Sequence, residues 1–102
     1  REEETTLDEY QLALDRAGPN EVLAAACLSV QMSQGRMVRH LLLLWHQIED
    51  SETESALTAA YSIDSLEALT RPFADEGAGW RPVSLSALQL RQRSAALVVW
   101  QR

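Results

Sequence analysis

From Leu23 onward, apolar side chains recur as Leu23, Cys27, Val30, Met37, Leu41, Leu44 and Ile48, with Gln34 at the one polar step. Spacings of three and four residues mark a coiled-coil seam of about four heptads. A second stripe of Ala24, Leu28, Met32, Val38, Leu42 and Trp45 widens it. Asn20 is placed to cap the segment, and Glu21 falls in its first turn. Between there and Glu49 the chain has no proline and one glycine, Gly35. The pattern predicts a helix of ~29 residues, ~43 Å long at 1.5 Å per residue. Such a helix needs an equally long partner.

Shorter elements flank it. Thr6-Leu7-Asp8-Glu9 has the form of a capping box, opening a helix of roughly ten residues with Leu7, Tyr10, Leu14 and Ala17 on one face. Ala17-Gly18-Pro19 ends it, since glycine suits the left-handed position after a helix and proline cannot continue one. Asp50 to Ser55 is an acidic turn. A third helix is expected from Ala56 to Thr70, with Ala56, Ala59, Ala60, Ile63, Leu66 and Leu69 inward and Tyr61 alongside. Antiparallel to the long helix, it makes a hairpin. Arg71-Pro72 closes it and Glu76-Gly77-Ala78-Gly79 forms a joint. Ser84 is placed to cap a short helix through Leu85, Leu88 and Gln92. Ala95 to Trp100 reads equally well as a strand or a buried helix end. No internal repeat appears. The segments are therefore 1–19, 20–71 and 72–102.

Composition narrows the class of protein. A chain of 102 residues supports one domain. Cys27 is its one cysteine, which excludes an internal disulfide and a cysteine-based zinc site. Nine arginines, no lysine and fifteen acids give a net charge of −6, which argues against binding nucleic acid by phosphate neutralisation. The acids are uneven: residues 77–102 carry four arginines and no acid, whereas residues 49–76 carry eight acids and one arginine. Arg36, Arg39 and His40 interrupt the best apolar run before it reaches the ~18–20 residues of a membrane span. Arg1-Glu2-Glu3-Glu4 is unlike a secretory signal. A cytoplasmic domain is expected.

Candidate chemistry is sparse. His40 and His46 are six residues apart, on different faces of a helix, and lack the i, i+4 spacing of a helical metal site. His46, with Glu49 three positions on, and His40 are the candidate phosphoacceptors. Cys27 reads as a small buried hydrophobe of the seam. Asp64, Glu67 and Arg71 have the spacing of solvated helical ion pairs. Gly77-Ala78-Gly79 is too short to cradle a phosphate. No metal, cofactor or catalytic group is expected.

The stretch from Val30 to Arg71, followed by Trp80-Arg81-Pro82-Val83-Ser84-Leu85, resembles the dimerisation and histidine-phosphotransfer region of actinobacterial sensor histidine kinases. Those with nitrate-sensing-like extracellular domains are the most similar group. Val38 to Glu49 matches the end of the family's long helix, Asp50 to Ser55 its turn, and Ile63-Asp64-Ser65-Leu66 its phosphoacceptor motif. Trp80-Arg81-Pro82-Val83 matches the join to the ATP-binding domain, and the lack of lysine fits GC-rich coding. The sequence departs where Ser65 stands in place of the family's histidine, which removes autophosphorylation there. Pro72 to Gly79 is rewritten, and the residues after the join cannot house nucleotide-binding machinery. The resemblance implies a silent remnant, a fragment, or a regulator that keeps the dimerisation hairpin.

Together these observations predict an all-α protein, a long antiparallel helical hairpin that forms a four-helix bundle as a homodimer. Its interface is Leu23, Cys27, Val30, Gln34, Met37, Leu41, Leu44 and Ile48. The expected function is non-catalytic association, with itself or with a kinase or response-regulator partner. Alternatives are a phosphotransfer module using His40 or His46, and a ligand sensor lined by Trp45, Tyr61, Met32 and Met37.

Overall fold

The computed structural model describes residues 1–49, 52–62, 67–73, 78–90 and 93–102. It overturns the all-α expectation, and with it the helical hairpin and the four-helix bundle. Strands β1 (Glu2–Thr6), β2 (Glu21–Ser33) and β3 (Arg36–Gln47) form one antiparallel sheet, sheet A, in the order β1-β3-β2. Strands β4 (Ser55–Ala60), β5 (Arg81–Leu90) and β6 (Arg93–Gln101) form sheet B in the order β4-β6-β5. Among the described residues the α-helices are α1 (Tyr10–Asp15) and α2 (Glu67–Thr70), the latter followed by a 3-10 turn at Arg71–Phe73.

The supposed long helix is a β-hairpin. Gln34 and Gly35 both have positive φ, 52° and 77°, between the paired residues Ser33 and Arg36. Two left-handed residues in a two-residue loop define a type I′ turn, whose twist matches that of the strands it joins. Beyond the turn the side chains obey a period of two. Leu41, Leu43 and Trp45 are buried, while Leu42, Leu44 and His46 are not. The run Leu41-Leu42-Leu43-Leu44-Trp45 satisfies helical and strand spacing alike, and the turn decides between them. In place of one ~29-residue helix the chain forms two strands of 13 and 12 residues that double back on each other.

Other expectations change in the same way. Leu7 is buried, but β1 precedes it and α1 starts only at Tyr10; Glu9 donates its N–H to the Thr6 carbonyl in a turn instead of completing a capping box. Asn20 has φ 62° and leads into a strand. Of the described part of the expected third helix, Glu67–Thr70 is helical and residues 56–60 belong to β4. The Ser84-capped helix is part of β5. The segment from Ala95 to Trp100 is strand, in β6. The motif Ile63-Asp64-Ser65-Leu66 lies outside the described residues, as do Asp50 and Ser51 of the acidic turn and Glu76 and Gly77 of the joint.

An internal repeat, unread in the sequence, governs the architecture. Each half runs strand, helix, hairpin, with the same strand order. Ala24 is an extra residue between the pairs Leu23–Trp45 and Ala25–Leu44; Val83 is one between Pro82–Trp100 and Ser84–Val99. The bulges and the tryptophans thus coincide, equating sheet A's Trp45 face with sheet B's Trp100 face.

The halves stack head to tail. Leu23, Leu28, Leu41, Leu43 and Trp45 of sheet A meet Leu57, Ala95, Leu97 and Val99 of sheet B, with Leu7 and Ala13 beside them. The opposite face of sheet B, with Ala60, Ala96, Val98 and Trp100, is covered by Leu69, Phe73 and Trp80. β2 is an edge strand of sheet A, and sheet B clamps that edge. Leu23 N–H donates to Ser55 Oγ at 2.8 Å, Leu28 N–H donates to Ser86 Oγ at 3.0 Å, and Gln101 Nε2 donates to the Leu23 carbonyl at 2.9 Å. Each such bond contributes about 1 kcal/mol, and a buried donor left unmade costs about 1–3 kcal/mol.

Candidate interaction face

Strand alternation sorts sheet A into a buried face and one that is open from Ala25 onward on β2, Val22 at its end being buried opposite His46. On the open face, β3 presents Val38, His40, Leu42 and Leu44, and β2 presents Ala25, Cys27, Ser29 and Gln31. None of these is buried; Leu44 is 38% exposed and Cys27 is exposed. Register places Cys27 opposite Leu42 and Ala25 opposite Leu44, so the two leucines rise beside a shallow strip of small side chains. Glu2 and Glu4 of β1 pair with Leu44 and Leu42 and line the far margin, both exposed. Glu4 Oε2 lies 4.0 Å from His40 Nε2, and among the described residues no cation pairs with Glu2. Glu3 points the other way, to Arg1 at 2.7 Å and Arg16 at 3.4 Å.

The internal repeat shows what such a face does when covered. Trp45 and Arg1 are joined by two main-chain hydrogen bonds, while Trp100 pairs with Ala56. Counting along the strands, Glu2 and Glu4 therefore correspond to Leu57 and Ala59, which pack into the core between the sheets. The same positions are apolar where the face is buried and acidic where it is open.

The predicted interface residues disperse. Leu23 and Leu41 are fully buried in the core, and only Cys27 and Leu44 share the open face. Val30 lies half-buried on the opposite side of β2. Gln34 sits in the turn, Met37 pairs with Met32 at the hairpin tip, and Ile48 N–H donates to the Asn20 carbonyl. Cys27 is not the buried hydrophobe expected of it. His40 and His46 fall on one face, because six residues is an even number of strand steps. Among the described residues, no three His, Cys, Asp or Glu side chains gather as metal ligands, and no helix is long and apolar enough to cross a membrane. The sensor residues also separate: Trp45 is in the core, Tyr61 lies under Arg39, and the two methionines are exposed. An apolar cavity of about 320 Å³, lined in part by Ala87, Leu88 and Ala96, includes none of them.

Leu42 was read as part of the stripe widening the seam, but Ala25, Glu2 and Glu4 were not grouped with it, because a helical period does not put them together. The unbroken apolar run at residues 41–45 carries no alternation that would separate the two faces; the acidic run beside Thr5 and Thr6 was the one sign in the sequence.

Together these features define a duplicated strand–helix–hairpin domain in which one face of sheet A is largely uncovered. Comparison with protein families, with curated proteins and with solved structures finds no match.

Proposed function

We propose that this chain is a non-catalytic protein-association module that docks through the open face of sheet A. The observation that carries this reading is the uncovered apolar strip in which exposed Cys27 and Leu44 lie beside half-buried Ala25 and Leu42. Contiguous apolar side chains on an exposed surface are a mark of contact sites. The acidic margin and the net charge of −6 favour a protein partner over nucleic acid. A single exposed thiol suits the reducing cytoplasm. The helical hairpin implied by the kinase resemblance is replaced by strands, so the relation to sensor-kinase signalling does not enter this reading.

Cys27 reports directly on occupancy of the face. In its own cells, the chain is expected to resist alkylation at Cys27 at least tenfold more than the purified chain does, and Leu44→Asp is expected to remove that protection. Equal reactivity in the cell and in the test tube would defeat the reading.

A further inference from the structure

Resting on the association reading, we infer that the occupant of the open face is a basic amphipathic helix of another protein, laid along β2 and β3 with its cationic flank over Glu2 and Glu4. Three observations converge on that chemistry.

The first is width. The apolar floor spans two strands, Leu42 and Leu44 on β3 with Ala25 and Cys27 on β2. Neighbouring strands are ~4.8 Å apart, and a helix with its side chains is ~10 Å across. One helix covers that floor. A sheet would also cover β1, burying Glu2 and Glu4 where the other half of the molecule has Leu57 and Ala59. Uncompensated burial of carboxylates is strongly unfavourable.

The second is charge. Glu2 has no cationic partner among the described residues, and Glu4 has only His40 at 4.0 Å. The β2 margin, with Ser29 and Gln31, is polar and uncharged. A helix seated between these margins meets carboxylates on one flank only, which fixes its orientation and calls for lysine or arginine there.

The third concerns a second copy of this chain. Within the molecule, the face equivalent to the open one docks on the Trp45 side of a sheet. The corresponding Trp100 side of sheet B is filled by Leu69, Phe73 and Trp80; the Phe73 ring lies 4.7 Å from that of Trp80 and 5.2 Å from that of Trp100. The stack is capped at that end, so another copy does not offer the complementary surface. Open face against open face adds a second set of Glu2 and Glu4 carboxylates, while the arginine that alternation puts on this face, Arg36, sits at the hairpin tip, roughly 20 Å along β3 from Leu42.

The test uses the whole purified chain and two 18-residue amidated helical peptides. Both carry leucines along one face; the first has lysines on the adjoining flank, and the second has glutamates there. The rate of Cys27 alkylation by a maleimide is followed as each peptide is added. The lysine peptide is expected to slow the reaction saturably, at least tenfold, and the glutamate peptide to leave it unchanged. Leu44→Asp is expected to weaken protection at least tenfold. The double variant Glu2→Gln/Glu4→Gln, at exposed positions that do not endanger folding, is expected to weaken it severalfold. Equal protection by both peptides, or protection by neither, overturns the inference. So does a peptide-free chain that sediments at twice its 11.4 kDa mass with Cys27 already shielded. Failure of the lysine peptide alongside Cys27 protection in the cell removes this inference and leaves the association reading intact; loss of both removes both.

Discussion

The two tryptophans show how one residue type acquires different roles in equivalent places. Trp100 is buried, and its Nε1 donates to Thr58 Oγ1 at 2.9 Å while that hydroxyl donates to the Leu69 carbonyl at 2.7 Å. Trp45 is as deeply buried, yet its Nε1 has no acceptor. At the position matching Thr58 the first half has Glu3, whose carboxylate is engaged by Arg1 and Arg16. Both tryptophans shrink equally when replaced by phenylalanine, but only Trp100 gives up a hydrogen bond. Trp100→Phe is therefore expected to destabilise by about 1 kcal/mol more than Trp45→Phe, measured by urea unfolding. The Arg1 guanidinium, joined by the Gly18 N–H, holds the Glu21 carboxyl below its ordinary pKa. A depressed carboxylate stabilises the fold above its unfolded pKa, and that contribution is lost as pH falls through the folded value. Glu21→Gln should accordingly flatten the acid limb, below about pH 4.5, of a stability–pH curve and leave the neutral-to-alkaline limb parallel to the parent.

At the level of elements, what could be read in the sequence was punctuation. The breaks at Gly18-Pro19 and Arg71-Pro72 fall between elements or at a change of conformation, whereas Gly35, read as interior to the long helix, is the turn. Leu7, Leu23, Leu41 and Leu69 were placed inside, and they are. The type of element was not legible, for a physical reason. From Leu23 to Gln47 the chain is dominated by Leu, Ala, Met, Gln and Arg, which favour helix, with Val30 and Val38 the only β-branched residues of that stretch. Local preference yields here to burial of alternate side chains between two sheets. The open face was unreadable for the same reason, because Leu42 joins Leu44 and Glu4 only when the period is two. The turn carries the deciding information. Gly35 has φ 77° and open space around it, so a side chain there meets only backbone strain. Gly35→Val is expected to destabilise by about 1–2 kcal/mol, and Gly35→Asn by much less, in chemical denaturation.

The whole molecule is a stack with unlike ends, one closed by Phe73 and Trp80, the other an apolar strip beside carboxylates. Neighbouring leucines on β3 separate stability from association. Leu43 is fully buried and Leu44 is 38% exposed. Leu43→Asp places an unpaired charge in the core and is expected to abolish cooperative folding. Leu44→Asp is expected to change stability by no more than about 0.5 kcal/mol while removing partner binding. Thermal melts of the two variants, read beside Cys27 reactivity, check both statements. The clamp on β2 has a consequence of another kind. A thirteen-residue strand at a sheet edge is a template for adding strands from other molecules, the route by which β-proteins form fibrils. Ser55, Ser86 and Gln101 occupy main-chain groups at Leu23 and Leu28 that such growth would use. The contact that joins the halves also protects the longest strand among the described residues from polymerisation.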